Sequence, residues 1–507
     1  MKFIRSAIVF LMVNYSAVLF CQEPVFTREF ESLRGNVPMK IINPDGPFFY
    51  LLRYNKLIHD LIVEKRSKAS GNIVRLTPLK LDSVNANWFD YDNLDYLFFK
   101  SGDKLCFAFE KVLNTKRSIF VNTIDSSGRA SRLRELVALE RTQAIENTRF
   151  IFKKTTAERL LIVSQEYLKN TGIRKTALLF DPPSGQTVAA YKLPLENELT
   201  GHAVFFECDK SGNLYFLQQY TQVLGYRRIY IDRNQINVAV RSTDSLFAGG
   251  ITQQEELLAR KKINLPDSTG IENAELRVQH DSLLIGLHEK EFYGGQEGRM
   301  GFSSYLLDTK LTSVKSSRRY SLSEEATKQF IFYDGSDDNT PASRDYKSVA
   351  RYRSGNKLWM LAGREDENYS KELVVWNVDI GDAAIGAPAI LPRKLFFFTK
   401  RSRFKNIGGV QCLATSSALC CYLLENPQNS GIMPAKFDFH QFNMQRNAAG
   451  ANFVEYRFGN DGNVSKRVVY TNRDFEVIPV LYESSTPQLL FYLTNGKKER
   501  FAILSPE

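Results

Sequence analysis

The stretch Arg149-Phe-Ile-Phe, Leu160-Leu-Ile-Val, Leu178-Leu-Phe-Asp181, Pro182-Pro-Ser-Gly185 and Thr187-Val-Ala-Ala-Tyr191 decides the fold. Its apolar runs are strand-sized, and polar turns that hold Pro, Ser and Gly separate them. A hairpin followed by a second hairpin is one four-stranded meander. Strands that are apolar on both faces need a sheet packed on each side, and a ring of such meanders supplies this without free ends.

The first hairpin of the unit returns along the chain: an apolar strand, a polar turn, then a leucine that opens the next apolar strand. It occurs as Tyr96-Leu-Phe-Phe with Leu105-Cys-Phe-Ala-Phe, and as Ala203-Val-Phe-Phe with Leu214-Tyr-Phe-Leu. It recurs as Ala274-Glu-Leu-Arg-Val with Leu283-Leu-Ile-Gly-Leu, and as Val349-Ala-Arg-Tyr with Leu358-Trp-Met-Leu. Val410-Gln-Cys-Leu with Leu419-Cys-Cys-Tyr-Leu and Val477-Ile-Pro-Val-Leu-Tyr with Leu489-Leu-Phe-Tyr-Leu complete seven units. Their leading leucines fall 54 to 75 residues apart. Phe48-Phe-Tyr-Leu-Leu with Leu57-Ile-His-Asp-Leu-Ile-Val would make an eighth. A second element follows four of the leucines, an apolar strand that ends in Asp181, Asp232, Asp308 or Asp379, each read as the former of its own turn. The expectation is an all-β chain forming one β-propeller of seven blades, with eight as the alternative. The chain ends on Arg500-Phe-Ala-Ile-Leu-Ser505, which leaves the last blade one strand short, so Pro38-Met-Lys-Ile-Ile-Asn43 is expected to close the ring. Residues 132–146 and 253–262 carry helical spacing and are expected as short helices between blades.

Residues 178–193 resemble the quinoprotein-type blade repeat, in which a strand, an Asp and a Gly turn precede the outer strand. The resemblance covers this one unit; it implies the fold and no cofactor. The hairpin series is similar to that of bacterial secreted β-propellers, and the leader followed by Gln22 is similar to those of Bacteroidota envelope proteins.

Lys2 and Arg5 precede an apolar run over residues 7–20, interrupted by Asn14 and Ser16, and polar residues resume at Gln22-Glu23-Pro24. That is the layout of a secretory signal peptide, and the run is short for a membrane span. Residues 1–21 are therefore expected to be removed, leaving a propeller domain over 22–507 with a closing segment at 22–47 and no transmembrane span. Lipidation at Cys21 is the alternative. The location implied is periplasmic or extracellular.

Loss of Lys2 and Arg5 lowers the formal charge from +11 to +9. In an exported protein this favours anionic polysaccharide, lipid headgroups or another envelope protein as partner, and disfavours nucleic acid. Five cysteines remain after Cys21, too few for a disulfide scaffold. If the turn lies at 415–418, Cys412 faces Cys421 across the hairpin as a possible disulfide, with Cys420 on the other face.

No catalytic motif is found. His288-Glu289-Lys290-Glu291 lacks the second histidine of a zinc-protease helix and continues a strand, and no Gly-x-Ser-x-Gly elbow is present. Asp90-Tyr-Asp-Asn-Leu-Asp95 and Asp334-Gly-Ser-Asp-Asp-Asn339 gather oxygen ligands without the spacing of a calcium loop. No cofactor or metal is assigned. Arg393-Lys-Leu-Phe-Phe-Phe-Thr-Lys-Arg-Ser-Arg-Phe-Lys405 holds six basic residues and no acid, so Lys400, Arg401, Arg403 and Lys405 are the candidate anion-binding residues. The reading is a non-enzymatic binding or scaffolding propeller. The alternative is a glycoside hydrolase or lyase using carboxylates of the propeller funnel, which leave no local signature.

Overall fold

The computed structural model describes residues 23–32, 35–55, 60–79, 95–112, 116–140, 149–168, 172–193, 202–231, 234–254, 256–293, 296–321, 346–365, 369–386, 388–396, 410–429, 431, 450–478 and 480–505. Seven antiparallel meanders follow one another, each with its strands in chain order. Blade 1 is Asn36–Asn43, Phe48–Asn55, Asp60–Ser67 and Ile73–Leu79; blade 2 is Tyr96–Ser101, Lys104–Val112, Lys116–Ile124 and Arg134–Glu140. Blade 3 is Arg149–Lys154, Leu160–Leu168, Gly172–Asp181 and Gln186–Lys192; blade 4 is His202–Cys208, Leu214–Ile231, Asn234–Ile251 and Leu257–Ile263. Blade 5 is Thr269–Gln279, Ser282–Tyr293, Gln296–Asp308 and Val314–Ser321; blade 6 is Tyr346–Ser354, Lys357–Glu365, Tyr369–Asp379 and Ala389–Phe396. Blade 7 is Gln411–Ala414, Ala418–Glu425, Asn452–Gly459 and Val464–Thr471. Blade 8 takes Glu476–Ile478, Leu489–Thr494 and Lys498–Leu504 from the C-terminal end, and its outer positions from the N-terminal Val25–Phe26 and Phe30–Glu31.

The propeller therefore has eight blades, not seven. The expected eighth unit was real but out of phase: Phe48–Asn55 and Asp60–Ser67 are the second and third strands of their blade, not the first and second. Its first strand is Asn36–Asn43, where Pro38 and Lys40 interrupt the apolar pattern. Closure also differs from the expectation. Lys498–Leu504 pairs with the two short strands at 25–26 and 30–31, whereas residues 38–43 stay in blade 1. There, residues 40–43 pair in parallel with Leu481–Ser484, which continues the inner strand of blade 8 across the junction. The ring is thus latched twice, at the rim and at the channel wall.

The two expected helices are strands, Arg134–Glu140 and Leu257–Ile263, the outermost of blades 2 and 4. An outer strand is covered unevenly, so its apolar residues need not alternate strictly and can mimic helical spacing. Among the described residues the one helical turn is the 3-10 segment Pro427–Asn429, and no helix is long and apolar enough to cross a membrane.

Burial follows the period of two along each second strand. Leu105, Phe107 and Phe109 face blade 1, while Cys106 and Ala108 face blade 3. Leu160 and Ile162 then face blade 2, and Leu161 and Val163 face blade 4. The alternation explains why these strands are apolar at every position: each face has its own neighbour.

First strands of neighbouring blades touch around the ring and form its inner wall. Turns joining first to second and third to fourth strands lie on one face of the disc, here the turn face. Second-to-third and blade-to-blade connections leave from the other, the loop face. On the loop face, Leu214–Ile231 and Asn234–Ile251 stay paired over their full length, though the flanking strands of blade 4 reach only Gln219 and Leu246. A two-stranded ribbon therefore projects from blade 4 by roughly 35 Å, at about 3.3 Å per residue.

Candidate functional site

The inner strands end on the turn face in a belt of charge. Lys153 and Lys154 end the first strand of blade 3, Glu207 stands one residue from the end in blade 4, Arg277 two from the end in blade 5, and Arg353 one from the end in blade 6. Lys154 lies directly opposite the leading leucine Leu160, and Arg353 opposite Leu358, as Lys100 lies opposite Leu105. This register is the signal that could have identified the belt: its residues pair with the leading leucine or, as Lys153, Glu207 and Arg277 do, with the residue after it.

Glu483, on the inner segment of blade 8, accepts from Lys40 at 3.0 Å and from Lys154 at 2.8 Å. Lys154 belongs to blade 3, three blades round the ring, so this contact spans the channel. Burial alone would raise the Glu483 carboxyl, but the two ammonium groups hold it below the ordinary glutamate range. Glu207 is fully buried, pairs with Lys153 at 3.0 Å, and accepts backbone N–H groups from Thr156 and Cys208 at 3.1 Å. Glu207 and Glu483 are therefore both engaged by lysine, while the inner strands carry further acids at Glu275 and Glu476.

Arg277 differs. Burial, and after it the like charge of Arg353, push its guanidinium below its ordinary value, against the pull of Glu207. Glu207 is already bound to Lys153. Arg353 donates through Nε to the carbonyl of Gly355 at 3.1 Å, leaving its outer nitrogens for solvent or a ligand.

A second group of acids lies at the loop face of blade 2. Asp95 precedes the inner strand, its carbonyl accepts the Glu110 N–H at 3.0 Å, and Arg117 pairs with the Glu110 carboxylate at 2.6 Å. Desolvation raises both carboxyls; Arg117 opposes it at each, and the charge of Asp95 adds a further rise at Glu110. On the turn face, an open cleft of about 660 Å³ sits at the junction of blades 7, 8 and 1, lined by Lys68, Ser417, Arg457, Thr486 and Gln488 among others.

The four candidate anion-binding residues Lys400, Arg401, Arg403 and Lys405 lie outside the described residues, as do Asp232, the Asp334 cluster and most of the Asp90 cluster. Cys412 does face Cys421, with Ala414 opposite Leu419. The two sulfurs are thiols 3.4 Å apart, buried toward blade 6, while Cys420 is buried toward blade 8. Asp181 accepts the Ser184 N–H at 3.0 Å, Asp308 the Thr312 N–H at 3.2 Å, and Asp379 the Gly381 N–H at 2.8 Å, so each caps its own turn. His288 and Glu289 lie within the second strand of blade 5. Among the described residues no cluster of His, Cys, Asp or Glu could hold a metal ion.

No family model matches the chain, and no curated protein does. Solved structures do. Prolyl oligopeptidase B from Galerina marginata is similar at 10% identity and a TM-score of 0.41, over 91% of this chain and 55% of its own. Dipeptidyl peptidase 4 of Porphyromonas gingivalis is similar at 9% identity and a TM-score of 0.39, over 93% of this chain and 58% of its own. A quinohemoprotein alcohol dehydrogenase from Pseudomonas putida is similar at 9% identity and a TM-score of 0.29, over 77% of this chain and 72% of its own. The chain thus spans little more than half the length of the two peptidases. At such identities the likenesses are consistent with the β-propeller fold and carry no activity across.

Proposed function

We propose that the protein is a non-enzymatic binding or scaffolding propeller of the cell envelope or cell exterior, taking its ligand in the central channel. One observation carries this reading: around the described channel wall cations outnumber carboxylates, and Glu207 and Glu483 are both engaged by lysine. A glycosidase acid needs a carboxyl raised toward neutral pH, and Glu483 is displaced the other way. The basic segment holding Lys400, Arg401, Arg403 and Lys405 lies in sequence between the last strand of blade 6 and the first of blade 7, and its charge suits an anionic polysaccharide, a lipid headgroup or another envelope protein. The test is a glycan array probed with the secreted protein, each bound glycan then being checked by mass spectrometry for cleavage. Binding without cleavage supports the reading, and turnover of any bound glycan overturns it.

A second reading, a carbohydrate-active enzyme, is favoured by Asp95 and Glu110, whose carboxyls are both raised. It requires cleavage that Asp95→Asn and Glu110→Gln each abolish.

A further inference from the structure

We propose that the turn-face cleft at the junction of blades 7, 8 and 1 binds a tetrahedral oxyanion, the phosphate or sulfate group of a ligand. The site draws no residue from the inner strands, so it stands independently of the channel reading.

The seam of the ring makes this cleft. In blades 1 to 7 the chain turns on this face from the third strand into the fourth. In blade 8 the third strand, Lys498–Leu504, and its outer neighbour, Val25–Phe26, come from opposite ends of the chain, and no turn joins them. The cleft of about 660 Å³ opens beside that gap, with Ser505 in its lining. Blade 1 contributes Lys68, which follows its third strand, and blade 7 contributes Arg457, near the end of its own. Arg457 pairs with Cys420, which is buried toward blade 8, so the arginine leans the same way. Two cations from different blades thus line one cavity.

Both are anchored. Lys68 Nζ donates to the Pro44 carbonyl at 2.7 Å, and Arg457 Nη2 to the Ser417 hydroxyl at 3.4 Å. Two acids act near them and neither lines the cleft. Burial lowers the Lys68 ammonium despite the pull of the exposed Asp45. Glu455, on the same strand face as Arg457, is bound by Arg467 at 2.7 Å. The ten lining residues include the two cations and five hydroxyls, and no carboxylate or aromatic ring. Among the described residues the Ser416 and Ser505 hydroxyls and the Gln488 amide make no hydrogen bond, so they are left for a ligand. A neutral sugar ring would find no aromatic face to stack on. An oxyanion finds a guanidinium fork, an ammonium point charge and hydroxyl donors around one space.

The experiment is calorimetric titration of the full-length protein with sodium phosphate and sodium sulfate, at ionic strength matched with sodium chloride. Lys68→Gln, Arg457→Gln and Ser416→Asp are compared with the parent and with Lys310→Gln. The last removes one exposed charge from the corresponding turn of blade 5, on the same face of the disc. Saturable binding of at least one ion is expected, weakened at least about tenfold by each cleft variant and unchanged in Lys310→Gln. Ser416 is exposed, so its variant is expected to fold even if the other two do not. No saturable binding in the parent, equal binding in the parent and Ser416→Asp, or equal weakening by Lys310→Gln would overturn the proposal. The preferred ion names the ester, and two further probes separate the sources of a phosphate. Binding of glucose 6-phosphate supports a soluble phosphorylated sugar. Capture by phosphatidylcholine vesicles that contain phosphatidylglycerol, lost in Ser416→Asp, supports a lipid headgroup.

Discussion

The guanidinium of Arg53, on the second strand of blade 1, donates to the carboxylate of Glu499 at 2.7 Å across 446 residues of sequence, with both side chains almost wholly buried. Glu499 also accepts from Arg66 at 3.0 Å and from the Tyr492 hydroxyl at 3.0 Å, while Glu64 binds Arg53 at 3.0 Å and Arg66 at 2.7 Å. The four charges form a neutral, closed group between the first blade and the last. Burying ions is costly, so the group stabilises the junction only while complete. Replacing Glu499 by Ala leaves two buried guanidiniums with one carboxylate and is expected to destabilise the protein by about 3–5 kcal/mol. Replacing all four by apolar residues of similar size should cost much less. Urea denaturation of both variants checks this, and equal losses would contradict it.

The N-terminal strands are held by more than their pairing to Lys498–Leu504. Phe30 lies under the Arg66 guanidinium at 5.3 Å and against Gly71, whose φ of +74° and lack of Cβ both matter. A Cβ at Gly71 would stand 2.9 Å from the Phe30 ring. Deleting residues 22–32 is expected to lower the melting temperature, and Phe30→Ala to cost about 1–2 kcal/mol for a partly buried aromatic ring. Differential scanning calorimetry of the deletion measures it, and an unchanged transition would mean that the rim latch contributes nothing.

His288 is buried in blade 5, stacked on Phe302 with ring centroids 5.0 Å apart. Burial, with the nearby charge of Lys290, pushes its pKa down to about 3 from an ordinary 6.5. The folded state then refuses a proton that the unfolded chain accepts. Stability is full above pH 6.5 and declines as pH falls toward 3, at a limiting slope of about 1.4 kcal/mol per pH unit for one proton. His288→Phe should flatten that part of the stability profile. Parallel profiles for the two proteins would assign the acid sensitivity to other groups.

Cys412 and Cys421 occupy a pair without mutual backbone hydrogen bonds, because Thr415 donates to the Ala418 carbonyl three residues nearer the turn and bonded pairs alternate. Such a pair brings Cα atoms to about 4.5 Å, within the range a disulfide spans. Burial raises the Cys421 thiol, and its neighbour Cys412 raises it further, so oxidation should be slow. In an oxidising glutathione buffer the expected bridge is Cys412 to Cys421, with Cys420 remaining a thiol. Non-reducing peptide mapping decides this, and a bridge through Cys420 would refute the assigned register.

Much of this architecture was legible because a blade writes itself locally. Leu160 and Leu214 each open a second strand, and the turn before each carries the residues a hairpin needs. The count failed at the junction, where locality fails. The inner strand of blade 8 breaks after Ile478 and resumes at Leu481 in another sheet, and the outer strands come from the opposite end of the chain. The channel charges were half legible: the register places Lys154 and Arg353 opposite leading leucines, yet nothing local could pair Lys154 with Glu483 across 329 residues. The Arg53 group was not legible at all, since Glu64 and Arg66 read as ordinary surface charges until Glu499 is brought to them.

The double latch has a consequence for the order in which the molecule assembles. Blades 1 to 7 draw almost all their strands from contiguous sequence, so each can condense soon after its own residues are available. Blade 8 cannot. It waits for Lys498–Leu504, the last of the described strands, to meet Val25–Phe26, the first of them. Until then Phe49, packed on Phe501 at 4.9 Å in the finished ring, has no partner from the far end and leaves an apolar flank open. The rate of that single long-range search should set the folding time, and its reversal should open the ring first under load. A protease or chaperone acting on this protein would accordingly meet it at the seam, with the other blades already in place.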